Sequence, residues 1–411
     1  MSSELKNKPI LFLLSKIRNK ILITLYYIYA KNSKSLFVSR KVKKNLFNLP
    51  KNLKYQNSPL KSDETILKTS SSLVVGKWGG RNPAFYHYDS SVLDYYSNSI
   101  KLYQGTPLEE SKTFQNVIYF PEYRCFYLKD GSRIDYSCIP EYRIAPEKIQ
   151  IPNNLKKVNH KFIYGGHLFR HYGHLITECI CRLWYAAKEQ NYPIIYSESP
   201  RFSVKRDYVD IFMNTIGFDK SRFFAFDEPI LLEEVIIPYP SFTMNYHAHS
   251  VHRLLPEAVA QAILKEPPKK IAQPLYMSRK NLNKTNSFRS LINEEKLEDI
   301  LREKNFNIVY PEQLNLTEQI QLVNQHEVII GVCGSALHTI LFDLSNSHLV
   351  CLGDLDYIHP NFLLVDAIKS KDSTYIAALE LEQNTPEERP KKTRILNLEN
   401  AVSALKSMGL L

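Results

Sequence analysis

Between residues 274 and 352 short apolar runs alternate with amphipathic stretches, and little chain separates them. Strands are expected at 274–278, 306–310, 327–330 and 348–352, and helices at 292–304, 317–324 and 335–342. Short apolar strands that each lead into a helix build a parallel sheet covered on both faces. Such sheets collect ligands at the carboxyl ends of their strands. Three prolines within residues 266–274, after a helical stretch at 252–265, read as an interdomain linker. Upstream the pattern is looser but of the same kind, with strands expected at 117–120, 194–196 and 235–237 and helices at 173–189 and 205–216. A chain of 411 residues with 44% apolar content has room for two domains. Two α/β domains facing a crevice is therefore the economical architecture: residues 61–265 form the first and 266–380 the second. In the tail, 381–411, a helix at 396–408 is expected, able to pack back across the crevice.

Charge is distributed unevenly. Thirteen Lys/Arg and one acid, Glu4, give residues 1–60 a net +12 of the chain's +11, so the remainder carries −1. A near-neutral body without a nucleic-acid-binding signature argues against a nucleic-acid groove. Within the basic segment, apolar runs at 10–14 and 21–30 are separated by Lys16, Arg18 and Lys20. Neither run reaches the roughly 20 apolar residues of a spanning helix. Apolar side chains beside Lys/Arg suit a helix lying on an anionic membrane surface. The expectation is a cytoplasmic protein held peripherally at the inner face of a membrane by residues 1–60.

Six cysteines, at 125, 138, 179, 181, 333 and 351, show no CxxC spacing and read as reduced thiols. His247, His249 and His252 are a metal candidate without a clear fourth ligand. Asp354-Leu355-Asp356 has no second acidic cluster beside it. Neither carries a metal expectation, and no cofactor is implied.

Three clusters fall where ligands collect. The stretch 331–335, Gly-Val-Cys-Gly-Ser, leaves a strand through two glycines and opens a helix, so backbone N–H groups and a partial positive charge face outward at a place suited to phosphate. It is not a Walker A loop, since no Gly-Lys-Ser/Thr follows. Ser278-Arg279-Lys280 follows the strand at 274–278, with Arg289 ten residues after Arg279, and guanidinium groups there suit bidentate phosphate contacts. His174, Glu178 and Arg182 stand at i, i+4 and i+8 of an expected helix and would share one face. A histidine held by a carboxylate serves as a general base or a neutral donor, the alternative being an ordinary ion-pair ladder.

In their order these stretches resemble glycosyltransferase family 61. Its members read Ser-Arg-Lys, a downstream Arg, Asn-Glu, a Gln at the position of Gln319, and a closing Gly-x-His-Gly-x-x-Leu. Upstream, YGHLITE is similar to the family's Tyr-Gly-His-x-x-x-Glu. The resemblance covers about residues 160–355. It implies two Rossmann-like domains facing a cleft (the GT-B fold), inverting and metal-independent transfer, and a nucleotide sugar held by the second domain. Carried over, Arg279 and Arg289 contact the diphosphate, and Asn293 and Glu294 shape the donor pocket. Gly331, Cys333, Gly334 and Ser335 form the loop, while His174, Glu178 and Arg182 face the cleft from the acceptor side. The chain departs from the family at Cys333, where His is usual, and at His338-Thr339 in place of Thr-Asn. The expected partners are a nucleotide sugar, with uridine diphosphate as the favoured carrier, and a surface glycan acceptor. The rival readings are an inactive nucleotide-sugar-binding subunit, motivated by Cys333, and a phosphate-ester hydrolase, for which no nucleophile elbow is evident.

Overall fold

A computed structural model describes residues 72–74, 84–89, 101–104, 111–138, 145–168, 171–189, 191–198, 208–218, 220–266, 268–285, 291–382 and 393–411. The basic segment 1–60 and Arg289 lie outside them. Among the described residues no helix is long and apolar enough to cross a membrane.

The alternating block forms a sheet whose parallel strands stand in the order Asn307–Val309, Leu275–Met277, Val328–Val332, His348–Asp354 and Thr374–Leu381. The second strand in sequence lies outside the first, and the third lies on the first strand's other side. The order therefore reverses between Leu275–Met277 and Val328–Val332, where doubly wound sheets open a ligand crevice. Ile329, Ile330, Leu349, Val350 and Leu352 are buried, as expected of strands covered on both faces. At the other end Arg394–Leu396 pairs antiparallel with Thr374–Leu381 and parallel with Leu291–Ile292. Ala84–Tyr86, from far upstream, also pairs with Thr374–Leu381.

Upstream, a six-stranded sheet runs Cys125–Tyr127, Lys112–Phe120, Ile230–Ile237, Lys156–Leu168, Ile194–Glu198, Phe223–Phe224. Its last four strands are parallel and reverse order once, beside Lys156–Leu168. Lys112–Phe120 is antiparallel to both neighbours, so the sheet is mixed. A four-stranded sheet that the sequence pattern did not announce joins Ser72–Val74, Lys101–Gln104, His247–His249 and Phe242–Thr243. The architecture is mixed α/β.

The main core draws on both halves. It packs Trp184 and Phe212 with Leu255, Leu341 and Leu364. The C-terminal helix, Leu398–Ser407, does not cross the crevice as expected. Ala401, Ala404 and Leu405 lie buried with Tyr276, Ile330 and Ile376 on the C-terminal sheet. Its apolar stripe matches that sheet, and Asn397 fixes its start by accepting from the Asn400 N–H at 3.0 Å.

Candidate functional site

A cavity of about 670 Å³ lies at the order reversal of the C-terminal sheet. It is walled by the segments that follow four of its strands and by the segment that follows Lys156–Leu168. A second cavity of about 380 Å³, beside Glu122, Tyr123 and Asp227, lies near the start of Ile230–Ile237. That is the end of the upstream sheet remote from His171–His174, and the clusters above do not reach it.

On the C-terminal side the polar groups are tied from behind. The backbone N–H of Arg279 and the hydroxyl of Tyr276 both donate to Glu294 Oε1 at 2.9 Å. Burial raises the Glu294 carboxyl above its usual range, against the hydrogen bonds that favour its charge. Ser278 Oγ donates to Glu298 at 2.6 Å and accepts the Lys280 N–H at 3.0 Å. Glu294 therefore acts on the main chain of Arg279 and does not line the cavity. Asn293 does not line it either. It begins the helix Glu294–Glu303 at φ 69°, a left-handed conformation that asparagine tolerates.

The glycines of the turn play different parts. Gly331 sits inside Val328–Val332, in register with Met277 and Cys351. A Cβ there would stand 3.0 Å from Leu337 Cδ2 and 3.1 Å from the Met277 carbonyl. It is a close-packing glycine of the strand, which corrects its assignment to the loop. Gly334 has an extended backbone, with φ −179°, and a Cβ on it would strike the Arg279 guanidinium. Its bare backbone makes room for Arg279. Residues 335–342 form a 3-10 helix, tighter than the α-helix expected. Cys333 turns away from the cavity: its Sγ would be 3.6 Å from a Cβ on Gly353, and its thiol interacts with Cys351.

The facing segment is irregular. An α turn, Tyr172–His174, passes into a π-helix, Leu175–Cys179, before the α-helix Leu183–Lys188 begins. A π turn takes more residues than an α turn, so the predicted common face of His174, Glu178 and Arg182 breaks after Glu178. His174 Nδ1 does meet Glu178 Oε2. Arg182 instead is buried, donating to the carbonyls of Pro238 and Tyr136, the latter at 3.0 Å. That corrects its expected place at the cleft. Distant side chains hold the irregular turn: His252 Nε2 bonds the Ile176 carbonyl at 2.9 Å and Ser241 Oγ donates to that of Cys181 at 2.9 Å.

The two walls touch. A Cβ on Gly173 would stand 2.8 Å from Ser335 Oγ. Thr339 Oγ1 donates to the Ala336 carbonyl at 2.6 Å, so Tyr172 OH is the donor in its 2.6 Å bond to Thr339. Gln319 is a structural node, donating to the carbonyls of Pro311 and Leu314 at 3.1 and 3.2 Å.

Neither metal candidate gathers ligands. His252 is occupied as described, His249 stacks on Tyr103 with ring centroids 4.7 Å apart, and Asp354 makes a two-pronged pair with Arg394. Among the described residues no three His, Cys, Asp or Glu side chains converge on a metal position. Among the cavity residues given no role in the sequence analysis are Glu312, His359 and His338, whose ring packs 4.6 Å from Phe362 and which burial holds down to about 3. Only His338 left a trace in the sequence, as a departure from the family pattern.

The family model described as Glycosyltransferase 61 matches residues 172–350. The match spans both cavity walls and supports a glycosyltransferase. No curated protein matches the chain.

Proposed function

We propose that the cavity binds a nucleoside-diphosphate sugar, a uridine diphosphate sugar being the favoured donor. The chain then moves the sugar to a hydroxyl of a surface glycan, with inversion and without a metal. The observation that carries this reading is the Arg279 guanidinium over the bare backbone of Gly334, facing the His174–Glu178 pair across the cavity. In the reaction, Nδ1–H of His174 donates to Glu178, which leaves Nε2 to take the proton of the acceptor hydroxyl. That oxygen attacks the anomeric carbon as the bond to the diphosphate breaks on the opposite face. Arg279 meets the charge that develops on the departing diphosphate. Arg289 is assigned a second contact by the family pattern.

The rival of an inactive donor-binding subunit draws on Cys333, which lacks the family's histidine and turns toward Cys351. Incubation with a panel of nucleotide sugars, with and without glycan acceptors and chelator, separates the readings. Transfer with inverted anomeric configuration and no response to chelator is expected. Donor binding without turnover on any acceptor would establish the inactive subunit, and release of free phosphate would establish a hydrolase. Residues 1–60 are proposed to hold the enzyme to an anionic membrane. Salt-resistant vesicle binding that survives their deletion would sink that part.

A further inference from the structure

Two side chains of the cavity wall have no part in the chemistry just described. Both carboxylate oxygens of Glu312 and both ring nitrogens of His338 are shut from solvent and hydrogen-bonded to no described residue. Glu312 belongs to the turn Pro311–Gln313, directly after Asn307–Val309, the strand beyond Leu275–Met277. His338 lies on the other side of the Arg279–Gly334 contact, beside Phe362. A ligand with its diphosphate at Arg279 therefore meets the carboxylate at one end and the imidazole at the other.

A carboxyl group kept from water without a partner is costly, and its two oxygens are best satisfied by two adjacent O–H or N–H groups. The 2′ and 3′ hydroxyls of ribose are such a pair, and in doubly wound sheets an acid following the second strand commonly takes a ribose hydroxyl. We propose that Glu312 binds the ribose cis-diol of the donor nucleotide, which lays the nucleoside over the strand Asn307–Val309 and directs the transferred sugar toward His338. This rests on the nucleotide-sugar reading above. His338 is neutral, so it meets a sugar hydroxyl with a hydrogen bond and no charge.

The test is calorimetric titration of the full-length chain and Glu312→Gln with UDP, 2′-deoxy-UDP and GDP, together with thermal unfolding of both proteins without nucleotide. The wild-type chain should prefer UDP to 2′-deoxy-UDP by about tenfold, the size of one lost hydrogen bond to a charged group. Glu312→Gln should shrink that preference, weaken 2′-deoxy-UDP, which keeps its 3′ hydroxyl, less than UDP, and leave the unliganded Tm no lower, since the side chain has no hydrogen bond to lose. A preference that persists undiminished in Glu312→Gln, or a lowered Tm, overturns the inference while UDP binding leaves the donor reading intact. A wild-type preference for GDP over UDP that Glu312→Gln alone removes would move the carboxylate to a guanine edge and overturn the ribose assignment. Failure of the wild-type chain to bind any of the three nucleotides would bring down the donor reading, and this inference with it.

Discussion

The two walls of the cavity are built on different principles. On the C-terminal side Arg279 and Ser278 leave regular parallel strands, and carboxylates on the neighbouring helix, Glu294 and Glu298, hold them from below. On the facing side His174 stands at the head of a π-helix; His252 bonds a carbonyl inside it, Ile176, and Ser241 bonds that of Cys181 just beyond it, each from sixty or more positions away. The first wall is positioned by local order and the second by long-range ties. On the proposed reading, holding a diphosphate suits the first arrangement and presenting a base suits the second, since an irregular turn can be re-aimed without disturbing a sheet.

The comparison is broken most directly at His174. Replacing it with Ala should lower turnover by about 10²- to 10⁴-fold, the usual contribution of a general base, with donor affinity nearly unchanged. Steady-state kinetics alongside donor titration checks this, and a parallel loss of affinity would mean that the two walls do not divide the work. Next comes Gly334→Val. Extended backbone accepts a β-branched residue, so the variant should fold with near-native Tm. The displaced guanidinium should weaken UDP binding by about tenfold to a hundredfold while uridine binding is spared. Full affinity in a folded Gly334→Val would remove Arg279 from the diphosphate site.

Acid probes both walls together. Burial holds His249, His252 and His338 down to about 3, about 4 and about 3. Unfolded imidazoles take a proton near 6.5, whereas the folded ones stay neutral. The stability linked to them is complete above about pH 6.5 and is lost as pH falls toward 4, by up to about 1.4 kcal/mol per pH unit for each histidine. Denaturant unfolding at pH 7, 6 and 5 should show this slope, and His338→Gln should remove one histidine's share. A flat profile would mean that these rings are already charged. The smallest effect is expected at Cys333→Ser, whose thiol faces Gly353 and Cys351. Turnover should stay within about twofold, as for changes that leave packing intact. A folded variant that binds donor but fails to turn over would give the thiol a chemical part.

The legibility of the molecule follows the same division. Four of the block's parallel strands were readable to within a few residues at most ends, because each is a short apolar run bounded by a turn; Thr374–Leu381 was not expected. Nor was the thirteen-residue strand Lys156–Leu168. Lys156, Lys157, Asn159, His160 and Lys161 mask its apolar end, and its pairing with Ile230–Ile237 is set far along the chain. The π-helix escaped for a related reason: the period read from 173–189 assumes that a helix satisfies its own carbonyls, and here His252 does part of that work. Arg279 and His174 were visible as motif residues. Glu312 and His338 matter through what they lack, a hydrogen-bond partner, and only the folded chain exposes that.

Ala84–Tyr86 completes a sheet whose other member, Thr374–Ile376, lies near the far end of the chain. During synthesis at about 5–20 residues per second, the upstream strand waits roughly 15–60 s for its partner. Over that interval the segment's backbone N–H and C=O groups lack the partner they have in the folded chain, which leaves them open to pairing with other chains. Ribosome-bound chains should therefore engage chaperones until residue 376 has emerged, and slowing translation late in the message should lower the soluble yield more than slowing it early.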